Sequence, residues 1–491
     1  MLKNFLFVAI ICLTSIVHTQ EIKGRVVDAS GHPIIFAAIQ TDDNTGVISN
    51  EEGYFTVILK SENERLTISC LGFATISISA QDLKNNGYTI VLEEQVNQLD
   101  QVYLTDKIPD AYDIIRKANE NLGSNYSNEN IKYKLFFRET SYNEFSRLNF
   151  EITKATGIKK RDLVSANMGL DSLTNTIQDN TIINFKDYLA ELLLKNRSNS
   201  KLNVIKATQL IDRKKDISVD DIQEKAQRII LKYLDTTKTY KLKTGIIKIE
   251  DSLSLTDDDD SKHSEPSFEY LTANLRSESH EHLFESQVYD GTILKKLLDN
   301  ERYKYEYVNA TVYGNELVHV IAFKTRRSKA KFQGKLYIAD ESFAVLKLDY
   351  KYAKGKRGEK LNLKFILGIK YVEDVKNGTI IYSKSNDSIY HPKYIKEEDG
   401  SYFYVNRPLK FIENSPEKNK VRFSFLIEGN KRDKSELLIV SQNAMDDSEY
   451  DTYSEDKKVS YESLSSYDPT IWAEYNALEP LKEMKEFKSS D

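Results

Sequence analysis

The sequence predicts a mainly β chain with α insertions: an N-terminal β-sandwich, then an α+β domain that ends in a curved antiparallel β-meander. Three observations predict it. Residues 21–95 hold about seven short apolar or alternating runs, punctuated by Gly, Pro, Asn and Asp at turn spacing. From Tyr303 onward a second strand series follows, hairpin after hairpin. The chain also carries 30 Tyr and 21 Phe against 8 Pro, a usage that favours strands.

The N-terminus, "MLKNFLFVAIICLTSIVHTQ", reads as a secretory signal over residues 1–20. Lys3 starts it, Phe5 to Ile16 form the apolar run, and Val17–Gln20 offer a cleavage region. Cys12 follows bulky Ile10 and Ile11, which argues against a lipid anchor. Removal of the leader leaves Cys70 alone, so no intramolecular disulfide is expected, and its alternating context makes it a buried structural thiol.

Within 21–95, "IKGRVVD" is a strand and "ASGHP" a turn in which Gly31 takes positive φ. "PIIFAAIQT" follows with Pro33 at its start, then "DDNTG", then "SNEEGYFTVIL" with Gly53 in the turn. "RLTISCLGFATISIS" and "YTIVLEE" complete the unit. Asp42 and Asp43 lack the repeated oxygen-ligand spacing of a calcium loop. The order Gly24-x-Val26, Gly31-x-Pro33, Ala37-x-x-Gln40, Asn50-x-x-Gly53-x-Phe55 and Ser69-x-x-Gly72-Phe73 resembles the carboxypeptidase regulatory-like domain. The resemblance implies a transthyretin-like β-sandwich, found at the start of many exported Bacteroidota proteins, with no peptidase activity of its own.

Residues 96–109 read as a linker. In the helix-containing region 110–300, "DAYDIIRKANENLGSNY" is a helix with Asp110 as N-cap and Ala111, Ile114, Ile115 and Ala118 on one face. "NTIINFKDYLAELLLKNRS" and "VDDIQEKAQRIILKYLD" are helical by period, with Leu189, Leu192 and Leu193, then Ile222, Ala226, Ile229 and Ile230 as apolar positions. "LTDDDDSKHSEPS" is a solvated loop. The meander occupies 301–445 in strands of about ten residues or fewer. Residues 446–466 read as an acidic flexible segment and 467–491 as a docking helix and tail, anchored by Trp472, Tyr475 and Leu478. "KFQGKLYIADESFAVLKLDYKY" and "YDPTIWAEYNALEPLKEM" are similar to conserved portions of Bacteroidota proteins that place the same domain before a curved sheet.

Chemistry-bearing patterns are sparse. In "SESHEHLFES", His280 and His282 share a face only on a strand, and His263 and Asp257–Asp260 supply no third ligand at a diagnostic spacing, so a solvated loop is expected. His319 and His391 read as packed or edge histidines. Gly355–Lys360 is a basic hairpin turn, not a phosphate cradle. Arg326 and Arg327 crown a basic hairpin, read as a soluble hairpin in preference to a contact for anionic lipid or lipopolysaccharide headgroups. With 69 basic and 75 acidic residues there is no footprint for nucleic acid. Charges on both alternating faces disfavour a membrane barrel. No catalytic, cofactor-binding or metal-binding residue is assigned.

Three readings stay open: a non-enzymatic cell-envelope protein, periplasmic or peripheral to the outer membrane, that binds or assembles with other envelope proteins; a carrier of an apolar ligand in the concave sheet; and a hydrolase whose site is not visible as a motif. Oligomeric state is undetermined.

Overall fold

The computed structural model describes residues 20–489 except 43–44, 62–63, 96–107, 127–129, 178–180, 213–228, 230–233, 236, 246, 255–268, 315 and 386–387. Residues 1–19, most of the linker, the loop from Leu255 to Ser267 and nearly all of the helix expected over Val219–Asp235 therefore lie outside the described residues.

The front of the chain is a two-sheet sandwich, as its punctuation predicts. Strands β1 (Gln20–Asp28), β2 (Ala38–Thr41), β3 (Gly46–Ile48), β4 (Tyr54–Leu59), β5 (Arg65–Ser69), β6 (Ile76–Ser79) and β7 (Thr89–Leu92) divide into a β4-β1-β7 sheet and a β3-β2-β5-β6 sheet. Gly31 and Gly53 sit at φ +83° and +81°, and a Cβ at Gly53 would strike the Val26 carbonyl. Two strand assignments are corrected. "PIIFAAIQT" pairs as a strand only from Ala38, because Phe36 sits at φ +59°. "RLTISCLGFATISIS" is two antiparallel strands, β5 and β6, folded back at Gly72, φ +86°.

The remaining strands build mostly one sheet. They are β8 (Ile131–Ala155), β9 (Thr181–Lys195), β10 (Asn199–Leu210), β11 (Thr239–Thr244), β12 (Ile247–Ser254), β13 (Glu269–Leu271), β14 (Tyr303–Tyr313), β15 (Glu316–Thr325), β16 (Phe332–Ala339), β17 (Val345–Tyr352), β18 (Lys360–Leu363), β19 (Ile369–Lys384), β20 (Tyr390–Glu413), β21 (Lys420–Ala444), β22 (Lys458–Ser460) and β23 (Glu462–Leu464). Their order is β14-β15-β16-β17-β19-β20-β21-β8-β9-β10-β23, with β18 and the β11-β12 hairpin on its margins; β13 pairs separately with β22. The sequence boundary at 300 disappears, because β8 from the helix-containing region pairs with β21 from the meander over nearly its whole length. Strands are also longer than expected: β8, β20 and β21 run 25, 24 and 25 residues, roughly 80 Å at 3.4 Å per residue.

Both faces of this sheet are covered, and the period-2 alternation shows how. On β8, Tyr133, Leu135 and Phe137 join the core beneath the helices Ala111–Glu120, Thr272–Glu285 and Ile293–Leu297, while Phe136 faces the sandwich. On β9, Tyr188, Ala190 and Leu192 go to the helices and Leu189 to the sandwich. This corrects the helix expected over Asn180–Ser198. A strand buried on both faces is apolar at nearly every position, a pattern that imitates a helix. Tyrosines seal the helix layer with their hydroxyls: Tyr382 donates to the Ser286 carbonyl at 2.5 Å, Tyr305 to Leu297 at 2.8 Å, and Tyr188 meets Ser279 Oγ at 2.7 Å.

The Ala111–Glu120 helix forms as predicted, with Asp110 accepting from the Tyr112 amide at 2.9 Å. A second core lies at the far end of the long strands, where the helix Lys160–Ile177 packs Ala166, Leu170 and Ile177 onto Phe150, Phe423 and Val421.

The acidic segment 446–466 is not an unstructured run. It forms a helix at Asp447–Thr452 and the strands β22 and β23. Aromatic and backbone contacts fix it: Tyr461 is buried edge-on to Tyr270 at 4.6 Å, and Lys201 Nζ caps the carbonyls of Tyr450 and Tyr453. The segment 467–489 does dock through Trp472, Tyr475 and Leu478, but as a turn-rich strap with one short helix at Lys482–Lys485.

Candidate functional site: the cleft between sandwich and sheet

The sandwich arches over β14–β17, β19 and β20 and is pinned at both ends. At one end the Gly72 amide donates to Val312 O at 2.9 Å and Ser69 Oγ to Tyr313 Oη at 3.3 Å. At the other, Glu51 pairs with Lys396, and Lys393 Nζ donates to Gly46 O at 3.2 Å and Ile439 O at 2.8 Å. Lys393 reaches the sandwich because it is the extra residue of a bulge: Ile381 faces Tyr394 and Tyr382 faces Pro392. Burial, with no carboxylate partner among the described residues, holds its ammonium pKa down at about 8.

The C-terminal strap locks this arrangement. Asn50 donates to the carbonyls of Glu479 and Pro480, Thr56 bonds the Glu479 carboxylate, and the Ile58 amide donates to Asn476 at 2.8 Å. Trp472 is edge-on to Phe136 at 5.1 Å between the two domains. Under the strap, cross-strand registry aligns Lys396, Glu436, Arg138 and Asp187, a row of alternating sign. Arg138 and Asp187 make a bidentate pair at 2.9 and 2.7 Å, only 4% and 1% exposed. Burial opposes the Arg138 charge, but Asp187 beside it carries the guanidinium pKa above its ordinary value.

Between the pinned ends lies a cleft with two lobes of about 430 and 740 Å³ that share Ile35, Phe36, Lys335 and Tyr337. Its floor is read directly from registry. Gln333, Lys351, Asn377 and Glu398 form one row, Lys335, Asp349, Thr379 and Lys396 the next, and Tyr337, Lys347, Ile381 and Tyr394 the third. Ile35 and Phe36 form the wall; the left-handed backbone of Phe36 sets its ring 5.2 Å from Tyr394. Cavities of this size at domain interfaces are where small ligands generally bind. Cys70 is on the rim, and burial pushes its thiol up to about 11, which makes it a poor nucleophile.

A smaller cavity of about 260 Å³ lies on the other face, under the Thr272–Glu285 helix. Glu278 and Glu139 share it with Lys186, Tyr188, Tyr270 and Tyr461. Burial, with Glu139 adding to it, raises Glu278 to about 8. Lys186 Nζ stands 3.9 Å from Glu139 and over the Tyr270 ring, so the chain's own ammonium occupies the acidic end. One helical turn on, His282 lies 3.4 Å from Glu397, which also receives Tyr350 Oη at 2.5 Å and Lys376 at 3.3 Å.

This helix corrects the solvated loop expected at "SESHEHLFES". His280 and His282 are two positions apart on a helix and diverge, His280 to the Arg197 carbonyl at 3.1 Å and His282 to Glu397. His263 and Asp257–Asp260 lie outside the described residues, and among the described residues no group of three His, Cys, Asp or Glu is placed to hold a metal. His319 is buried as expected, with Nε2 2.7 Å from Asp340, and His391 is buried on β20. Asp42 accepts from the Arg65 amide, while Asp43 lies outside the described residues. The basic hairpin tip is engaged within the chain, Arg326 by Asn300 O and Arg327 by Glu301. In the Gly355–Lys360 turn, the amides of Gly358 and Glu359 are taken by Glu373. None of the cleft residues was singled out by its chemistry; six of the floor residues, from Gln333 to Lys351, lie in the stretch "KFQGKLYIADESFAVLKLDYKY" noted above, where Lys and polar residues alternate along β16 and β17.

No helix among the described residues is long and apolar enough to cross a membrane. No curated protein matches the chain. The family model of the CarboxypepD_reg-like domain matches residues 22–104, a span that contains almost the whole sandwich. The first folded unit of this chain is therefore a carboxypeptidase regulatory-like domain, a non-catalytic β fold.

Proposed function

We propose that the chain is a non-enzymatic binding or assembly component of the cell envelope, exported by its leader and resident in the periplasm or at the periphery of the outer membrane. Its partners are other envelope components, met in the cleft between sandwich and sheet. One observation carries this reading: a non-catalytic domain is fixed at two ends over a half-polar cleft of ligand size. The apolar-carrier alternative needs an open aliphatic hollow, and the helix layer fills that face of the sheet.

The experiment is capture from envelope extracts with the full mature chain and with Gln333→Trp, which fills the larger lobe from a floor position whose side chain has no hydrogen-bond partner among the described residues. A component held by the native chain and lost with the variant is the expected result. Equal capture by both, or release of the protein by osmotic shock as a free monomer that captures nothing, overturns the proposal.

A further inference from the structure

We infer that the cleft is built for an acidic sugar, a polyhydroxylated ligand bearing a phosphate ester or a carboxylate. The inference rests on the cleft being the binding site proposed above and adds the chemistry it selects.

The charge distribution on the floor carries the argument. Lys335, Lys347 and Lys351 surround Asp349: Lys335 is its direct cross-strand partner on β16, and Lys347 and Lys351 flank it on the same face of β17. Asp349 is already committed on both oxygens, Oδ2 to Lys347 at 3.1 Å and Oδ1 to the Thr379 hydroxyl at 2.8 Å. Among the described residues, Lys335 and Lys351 have no carboxylate oxygen within 4.0 Å, and both are exposed to the cleft. Elsewhere in the lining one ammonium, Lys396, meets two carboxylates, Glu51 and Glu398, so the negative charge gathers there and away from Lys335 and Lys351. Two ammonium groups thus stand unpaired in a concave site whose low-dielectric walls strengthen their field.

The surroundings define the rest of the ligand. Gln333, Asn309 and Thr311 place amide and hydroxyl groups around the lysines, the complement of sugar hydroxyls. The Ile35–Phe36 wall offers apolar surface to a ring face, beside the Tyr337 ring that Lys347 covers at 5.2 Å. Lobes of 430 and 740 Å³ exceed the needs of a bare ion and suit one or two sugar rings.

The test is calorimetric titration of the full mature chain with four probes: fructose 1,6-bisphosphate, trigalacturonate, maltotriose and inorganic phosphate. At least one of the two acidic sugars binds, maltotriose and inorganic phosphate do not compete with it, and which acid binds separates phosphate from carboxylate recognition. Lys335→Gln with Lys351→Gln weakens that binding at least tenfold, and raising salt from 50 to 300 mM weakens it in the native chain but much less in the double variant. Both positions are exposed, and an unchanged melting temperature shows that the double variant folds. Failure of both acidic sugars to bind, equal binding of maltotriose, or indifference to the double variant overturns the inference. If Gln333→Trp still abolishes capture from envelope extracts in that case, the binding role stands and only the acidic-sugar chemistry falls.

Discussion

One buried ion pair and two partly desolvated groups, Glu278 and Lys393, dictate how this molecule responds to substitution and to pH. Asp187 neutralises Arg138 beneath the strap, and both are almost fully buried. Asp187→Asn leaves a charged guanidinium without its counter-ion and is expected to cost about 3–5 kcal/mol, measured by urea unfolding. Arg138→Met combined with Asp187→Leu is expected to lie much closer to the native chain, because both desolvated charges go together. Glu278 has a folded pKa raised from 4.5 to about 8. A raised carboxyl contributes stability below its unfolded pKa and loses it as pH climbs through the folded value, so this contribution declines from about pH 4.5 to pH 8. Glu278→Gln should therefore melt like the native chain at pH 4 and higher than it at pH 9. Lys393 is the opposite case, depressed from 10.5 to about 8. Its contribution is present above pH 10.5 and lost as pH falls through 8, so the melting difference between Lys393→Met and the native chain should shift in the variant's favour over that window and then level off.

At the level of elements, the legibility of each segment tracks how many of its faces are buried. The sandwich was readable because turn glycines punctuate it and strands such as β5 and β7 alternate, although β3 and most of β4 are buried at successive positions. The Ala111–Glu120 helix was readable because its cap and apolar stripe agree. Strand β9 misled because Leu189 packs toward the sandwich while Tyr188, Ala190 and Leu192 pack toward the helices, which erases the alternation. The Lys160–Ile177 helix is a different case: Leu163, Ala166, Leu170, Leu173 and Ile177 repeat at helical spacing, so its signal is present in the sequence and competes only with interleaved Asn, Ser and Thr. Segment 446–466 was misread because charge dominates its composition, whereas a few tyrosines determine its placement. The strap was legible as a docking element through Trp472 with Tyr475 and Leu478. Trp472→Ala opens the seam between the sandwich and Phe136 and is expected to cost about 3–5 kcal/mol, with the fall in melting temperature as the readout.

Over the whole molecule, a three-layer order emerges: sandwich and strap on one face of the sheet, helices on the other. The helix layer covers one face; on the other, Phe136, Leu189, Leu438 and Val440 pack toward the sandwich and strap, and the polar part of that face floors the cleft. That division could not be read from the sequence, since the floor residues come from four strands between Gln333 and Glu398 and meet the sandwich wall at Ile35 and Phe36 only through tertiary placement. The apolar surface was visible as alternation; the choice of what would cover each face was not. The same order explains why the longest strands, β8, β20 and β21, run through the middle, where each must serve the main body and the distal core.

Amide hydrogen exchange on residues 21–491, with and without the component that the proposed binding role predicts will be captured from envelope extracts, tests the central claim most directly. Binding in the cleft predicts added protection at Pro33–Ala38 and along Gln333–Lys351, with the Thr272–Glu285 helix unchanged. Protection confined to that helix, or to the sheet margins at β14 and β23, would contradict it.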